Sequence, residues 1–165
     1  CIENHDEKLP NLKIKKYTIS NLDSLDLPLT EEYEVTIKAF DSMNEQTLMV
    51  NPFLFGKMTE NPFKLNERIY PVDFGAQKDF TTIFQLEIPE THEIKVLPAN
   101  VGLQLPENQG KYIYTGDVLN GNMVSISEFF TINRPEIDGT MYPYLKELYN
   151  KIVQANKANI IISKK

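Results

Sequence analysis

The sequence predicts a mostly β protein, namely an antiparallel β-sandwich or partly closed barrel of about eight or nine strands, with one C-terminal α-helix packed on the sheet. Three observations predict this fold class. Apolar residues recur with a period of two along most of the chain, turn residues separate the runs at short intervals, and one helical pattern stands near the C-terminal end. The short spacing favours antiparallel pairing, because parallel strands require long crossover connections.

The composition indicates an ordinary globular chain. Its 165 residues are 41% hydrophobic and 24% charged, which is enough for one core without help from a metal or a disulfide. We predict a polar leader or linker over residues 1–10 and a sandwich domain over residues 11–165. The net charge of -6 argues against a nucleic-acid partner. No apolar run approaches the ~20 residues of a membrane span, so we expect no transmembrane segment.

The strands are predicted from alternation. The run "KDFTTIFQLEIP" alternates from Phe80 to Ile88, and Pro89 ends it because proline has no N–H to donate. Shorter runs lie near residues 11–19, 46–51 and 68–74, and "HEIKVLP" and "VGLQLP" add two more. In "LTEEYEVTIKAF" one face of a strand carries Tyr33, Val35, Ile37 and Ala39.

A hairpin follows in "GKYIYTGDVLNGNMVSISEFFTIN", where two strand-like runs flank Asn120 and Gly121. An Asn-Gly pair tolerates the positive φ that both central positions of a type I′ turn require. We therefore predict a two-residue turn at this point.

The C-terminal end predicts one helix over about residues 141–156. Thr140 is the expected cap, and Pro143 falls in the first turn, where a missing N–H costs nothing. The apolar stripe is Leu145, Leu148, Ile152 and Val153. The β-branched run in "NIIISKK" then predicts a final strand.

A search for catalytic motifs finds no convincing set. The single cysteine, Cys1, excludes an internal disulfide and a cysteine-cluster zinc site, and His5 and His92 are too far apart to suggest a metal. The 23 acidic residues offer no pair that the spacing singles out. We expect no catalytic residue, no metal site and no cofactor in this chain.

The central segment "MTENPFKLNERIYPVDFG" has no helical or strand period at its start. Its NPF at residues 61–63 repeats the NPF at residues 51–53. NPF resembles a peptide ligand of adaptor domains, but Asn-Pro is also a common turn starter, and the turn is the favoured interpretation. We expect three prolines to fix a rigid crossing whose phenylalanines fill the mouth of the sandwich: Pro52, Pro62, Pro71, Phe53, Phe55 and Phe63.

The chain resembles a known family over roughly residues 30–165. The segments "NPFLFGKMTENPFKLNERIYPVDFG", "LEIPETHEIKVLP", "LQLPENQGKYIY" and "YPYLKELYNKIVQANKANIIISKK" are similar to the C-terminal domain that follows a transglutaminase-like core in multidomain envelope proteins of Gram-negative bacteria. The most specific residues are Asn61, Pro62, Phe63, Arg68, Tyr70, Pro71, Val72 and Phe74.

The resemblance implies a non-catalytic accessory domain, because the Cys, His and Asp triad of that family belongs to the papain-like core upstream. It also implies a periplasmic or outer-envelope location and a partner, the transglutaminase-like core, in the same or another chain. The residues that we expect to contact that partner are Asn61, Phe63, Arg68 and Tyr70.

Two alternatives stay open. In the first, the chain is a stand-alone envelope lipoprotein, with a lipid on Cys1, that binds a glycan or a protein. In the second, it is an isolated hydrolase that uses two carboxylates.

Overall fold

The computed structural model describes residues 13–36, 41–44, 46–54 and 56–165. The chain divides into two compact units, residues 1–40 and residues 41–165. The predicted leader with Cys1 and His5, and the predicted positions Ile37, Ala39 and Phe55, lie outside the described residues.

The described part of the first unit is an antiparallel hairpin. Strand β1 (Lys13–Ser20) pairs with β2 (Thr30–Thr36), and the rings of Tyr17 and Tyr33 lie 4.7 Å apart between their centroids. The loop between the strands exposes four leucines: Leu22, Leu25, Leu27 and Leu29.

The second unit contains the remaining strands and the helix. The strands are β3 (Asp41–Asn44), β4 (Thr47–Val50), β5 (Val72–Asp73), β6 (Lys78–Glu87), β7 (His92–Val96), β8 (Val101–Gln104), β9 (Gly110–Leu119), β10 (Met123–Ile132), β11 (Glu136–Ile137) and β12 (Ile160–Lys164). Helix α1 spans Tyr142–Lys157. The described residues thus hold more strands than predicted, because the short strands β3 and β11 had no counterpart in the prediction.

The strands form open antiparallel sheets. One four-stranded sheet has the order β6-β10-β9-β8, a second has the order β3-β4-β12-β7, and β11 pairs with β5. Every described pairing is antiparallel, as predicted. Each four-stranded sheet keeps two edge strands among the described residues, so neither closes into a barrel, and the predicted sandwich-like fold fits.

The predicted hairpin is confirmed, but its turn is one residue longer than predicted. Leu119 pairs with Met123, so the turn contains three residues, and Asn120 and Gly121 have φ of 52° and 79°. The third turn residue, Asn122, accepts a hydrogen bond at 2.8 Å from the backbone amide of Ile88. This bond extends the ladder between β6 and β10 by one residue pair.

Helix α1 begins and ends one residue later than predicted. Its buried stripe contains Leu145, Leu148 and Ile152, whereas Val153 is only half-buried. Thr140 does not cap the helix. Instead, the Asp138 carboxylate accepts bonds from the amide and the hydroxyl of Thr140 at 2.8 and 2.7 Å, and these bonds hold the pKa of Asp138 below its usual value.

The core of the second unit lies between α1 and the sheets. Helix α1 packs against β8 and β9 of the first four-stranded sheet. Because pairing aligns Glu128 with both Tyr114 and Thr82, the even-numbered residues of β6, β9 and β10 share the face that points toward the helix. The largest fully buried side chains of the unit come from β9, β10, β11, α1 and β12, and include Tyr112, Tyr114, Ile132, Leu148 and Ile160.

Candidate functional site

Two of the predicted contact residues, Asn61 and Phe63, contact the helix, Asn61 through hydrogen bonds and Phe63 through its ring. The Asn61 side chain accepts from the Phe63 amide at 2.8 Å, which closes a turn over its own backbone. Its Nδ2 donates to the Lys146 carbonyl and to Asn150 Oδ1, both at 2.8 Å. The Phe63 ring stands edge-on to Tyr149 with centroids 4.8 Å apart. The structure therefore supports the turn interpretation of this NPF, and the binding role of the two residues stays a prediction.

The first NPF has the same local geometry. Asn51 Oδ1 accepts from the Phe53 amide at 3.0 Å, and its Nδ2 donates to the carbonyls of Asn156 and Ala158 at 3.0 and 3.2 Å. Phe53 is 7% exposed and lies beside Tyr114, with ring centroids 5.9 Å apart. The two repeats therefore attach the central segment to α1 at two points.

The other two predicted contact residues, Arg68 and Tyr70, lie at the surface. We call residues 64–70 the docking segment. Within it Leu65, Ile69 and Tyr70 are 60%, 89% and 78% exposed. Arg68 Nε donates to the Tyr70 carbonyl at 3.0 Å.

The side chains of the docking segment are exposed, but hydrogen bonds and close packing fix its backbone. Lys146 Nζ of α1 donates to the Leu65 carbonyl at 2.6 Å and to the Lys64 carbonyl at 3.4 Å. At the other end, a Cβ at Gly139 would lie 2.6 Å from the carbonyl oxygens of both Arg68 and Ile69. Such close backbone packing needs glycine. The segment thus presents large apolar side chains on a fixed backbone.

A pocket of about 410 Å³ opens between α1 and the β6 side of the first sheet. We call it the β6 pocket. Its walls are mainly apolar and include Phe53, Met58, Phe74, Phe80, Phe130, Tyr149 and Ile152. Its polar lining residues are Lys78, Thr82, Glu128 and Asn156.

Glu128 is the acidic residue of the pocket. Its Oε1 accepts from the Tyr112 hydroxyl at 2.9 Å and from Asn156 Nδ2 at 3.1 Å. Asn156 is itself oriented, since its Oδ1 accepts from the Met58 amide at 2.8 Å. Among the described residues no hydrogen bond reaches Glu128 Oε2, so that oxygen is available for a ligand.

The tyrosines around the pocket are strongly desolvated. Burial raises the pKa of Tyr149 to about 12. Burial, followed by the Glu128 carboxylate, raises the pKa of Tyr114 to about 12. The same two causes raise the pKa of Tyr112 above its ordinary value. The buried Tyr114 hydroxyl has no hydrogen-bond partner among the described residues.

The described residues hold no group of three or more His, Cys, Asp or Glu side chains that could bind a metal ion. They also contain no helix with the length and apolarity needed to span a membrane.

Glu128 was not among the predicted site residues, although the sequence carries a signal for it. In β10 the even positions from Val124 to Ile132 are apolar except at Glu128. A single carboxylate that interrupts a core-facing alternation marks a polar group inside the core layer, where it needs partners. Its partners Tyr112 and Asn156 come from β9 and α1, so spacing could not identify them.

The chain matches one family model and is similar in fold to a solved structure. The model of the family described as "Domain of Unknown Function with solved-structure structure (DUF3858)" matches residues 45–162. A crystal structure of a "putative protease" from Parabacteroides distasonis ATCC 8503 is similar in fold, with a TM-score of 0.55 and 11% sequence identity. The similarity covers 72% of this chain and 24% of that one, so this chain corresponds to about a quarter of that protein. No curated protein sequence matches the chain significantly.

Proposed function

This chain belongs to the DUF3858 family, and on that premise we propose that it is a non-catalytic accessory domain of a transglutaminase-like cysteine hydrolase or transferase. In this role it docks on the core domain, in the same or a partner chain, and positions a substrate or partner there. The observation that carries the proposal is the docking segment, where exposed apolar side chains stand on a fixed backbone.

The chemistry of the docking segment suits a protein interface. Tyrosine and arginine are enriched in the buried centres of interfaces, and here they lie two positions apart with Ile69 between them. Binding through a backbone that is already held in place loses less conformational entropy than binding through a mobile loop. The bonds from Lys146 and the close approach at Gly139 supply that order before any partner binds.

The comparison of lengths also supports an accessory role. The similar structure is about four times as long as the matched part, so a domain of this fold occurs there beside other parts of one chain. The resemblance of the sequence to a domain that follows a transglutaminase-like core supports the choice of partner.

Site-specific crosslinking tests the docking proposal. A photoreactive phenylalanine analogue in place of Tyr70 should crosslink to a transglutaminase-like domain when the protein is expressed in its native cell and the adducts are identified by mass spectrometry. The same analogue in place of Leu119, which is also exposed, is the control and should give no such adduct. Equal adducts from both positions would overturn the proposal.

Variants measure the strength of the docking. The double change Ile69→Ser and Tyr70→Ser should weaken association with the core at least about tenfold, because large apolar and aromatic anchors dominate interface energies. Arg68→Glu should weaken it as well, and Leu119→Ser should not. Unchanged association with the docking-segment variants, at unchanged stability, would reject the segment as the interface.

A second candidate function is a stand-alone envelope lipoprotein that binds a glycan or a protein, and the β6 pocket favours a binding role of this kind. The intact mass of the native protein, extracted from the envelope, distinguishes the two. A mass far above 19.0 kDa supports an accessory domain in the same chain as its core, whereas 19.0 kDa plus the increment of a lipid on Cys1 supports the lipoprotein. Both candidates place the protein in the periplasm or at the outer envelope.

A further inference from the structure

Strand β6 has an open edge. Among the described residues its ten residues pair only with β10, without a register shift. The bond from the Ile88 amide to the Asn122 carbonyl shows that Ile88, and with it every second residue of β6, is hydrogen-bonded to the β10 side. Since hydrogen-bonded residues alternate along an antiparallel strand, Thr81, Ile83 and Gln85 direct their N–H and C=O groups toward the open edge.

The edge lacks the usual protection against pairing. Edge strands are commonly blocked by proline, by a bulge or by charged residues in their middle. Strand β6 contains no proline, and its charged residues, Lys78, Asp79 and Glu87, lie at its two ends. Its middle is apolar or neutral, and Phe80 and Ile83 are 60% and 64% exposed. The edge is therefore suited to accept another strand.

The β6 pocket lies on the inner face of the same strand. Lys78, Phe80 and Thr82 line it, and all three share the face that carries Glu128 on β10. A strand added to the open edge would lie about 4.8 Å from β6, and alternate side chains would point to this inner face. One of those side chains would therefore stand over the pocket.

The lining of the pocket near Glu128 is chemically suited to a long side chain that ends in a positive charge. Its aromatic and aliphatic walls suit the methylene stem of lysine or arginine, and aromatic faces attract a cation. Glu128 offers the unbonded Oε2, while Tyr112 and Asn156 hold its other oxygen in place. Lys78 is four residues from Thr82, or about 13 Å along the strand, so it stands at the other end of the pocket.

We infer that the open edge of β6 and the β6 pocket together bind an extended peptide segment. The segment adds a strand to β6 and inserts a lysine or arginine side chain that pairs with Glu128. The net charge of -6 adds a long-range attraction for a basic partner. This site is separate from the docking segment, so the inference stands or fails independently of the proposed function.

Matched synthetic peptides test the inference. Short labelled peptides of alternating valine and threonine carry a central lysine, methionine or glutamate, and binding to the chain is measured by fluorescence anisotropy. The lysine peptide should bind at least about tenfold more tightly than the methionine peptide, because a charge-assisted bond is gained. Glu128→Gln should remove this preference. Equal affinities for the three peptides would overturn the inference.

Two variants at one position test the added strand. Ile83→Pro removes an amide that points to the open edge, a position that tolerates proline, whereas Ile83→Thr changes the same side chain and keeps the amide. Binding should be lost in the first and retained in the second, with both melting cooperatively. On binding, the amides of Thr81, Ile83 and Gln85 should become protected from hydrogen exchange. Retained binding by Ile83→Pro contradicts strand addition.

Two further outcomes would replace the inference with another. If n-butylammonium displaces the lysine peptide as well as an unlabelled lysine peptide does, the pocket binds a small cation and no strand. If the chain forms a dimer in sedimentation experiments and Ile83→Pro dissociates it, the occupant of the edge is a second copy of this chain.

Discussion

The two NPF turns have identical sequences and identical local bonds, yet they contact different parts of the same helix. In each, the asparagine accepts from the amide two residues later. Asn51 donates to carbonyls at the C-terminal end of α1, which lack partners within the helix. Asn61 donates to the carbonyl of Lys146, in the helix interior, where the carbonyl has a helical partner as well.

The two phenylalanines also differ, both in burial and in the element that each ring contacts. Phe53 is buried beside Tyr114 of the sheet, whereas Phe63 is half-buried beside Tyr149 of the helix. The first turn thus satisfies groups that would otherwise be orphaned and fills the core, and the second adds to contacts that already exist. The comparison teaches that one tripeptide contributes unequally when its partners differ.

The largest expected effect concerns the rings. Phe53→Ala should lower the free energy of unfolding by about 3–5 kcal/mol, because a fully buried ring leaves a cavity. Phe63→Ala should cost less, about 2 kcal/mol, because its site is partly open to solvent. Denaturant unfolding measures both, and Phe129→Ala on the exposed outer face of β10 is the control. Equal losses at the two positions would break the comparison.

The asparagines should show the next largest difference. Asn51→Asp removes the donor and places a negative charge beside the carbonyls at the negative end of the helix dipole, so we expect a loss of about 2–3 kcal/mol. Asn61→Asp also loses the donor but lies beside the helix interior, and a loss of about 1 kcal/mol is expected. The exposed Asn66→Asp is the control. A larger loss from Asn61→Asp would contradict the capping argument.

The last expected effect is pH-dependent and concerns the alkaline titration of Tyr114 and Tyr149. Burial raises the pKa of Tyr114 and of Tyr149 from 10.0 to about 12. A raised folded pKa favours the neutral phenol in the folded state. The stability it contributes is therefore fully present below pH 10.0 and is lost as the pH rises through about 12.

The titration also tests which tyrosine each NPF phenylalanine shields from solvent. Phe53→Ala should lower the pKa of Tyr114 and leave that of Tyr149 unchanged, and Phe63→Ala should do the reverse. Tyrosinate absorbance measures both, with Tyr114→Phe and Tyr149→Phe identifying each signal. A shift of both values by either change would mean that the two turns are one coupled unit.

Much of the fold could be predicted because its signals are local. Alternation found β6, β9 and β10, the Asn-Gly pair found the hairpin, and Pro143 with the apolar stripe found the helix. The errors were local as well. The turn contains a third residue, Asn122, whose carbonyl bonds to β6, and Thr140 does not cap the helix but donates to the carboxylate of Asp138.

The site residues could be predicted to a smaller extent than the fold. Arg68 and Tyr70 were named as partner contacts through the resemblance, and the structure exposes both, while the contact itself stays a prediction. Asn61 and Phe63 were assigned to the same contact, but their bonds and ring contacts lie with α1, because a turn asparagine can donate outward as well as accept locally. Glu128 was one of 23 acidic residues until the sheet placed it beside Tyr112 and the helix placed Asn156 there.

The amino-acid sequence was enough to identify the long strands, the hairpin, the helix and the two asparagine turns, because each depends on residues within a few positions of one another. Only the tertiary structure decided what those elements contact. Asn51 reaches a helix carbonyl 105 residues away, and Asn156 reaches Glu128 across 28 residues. Such pairs are set by the packing of α1 on the sheet, and no local spacing encodes them.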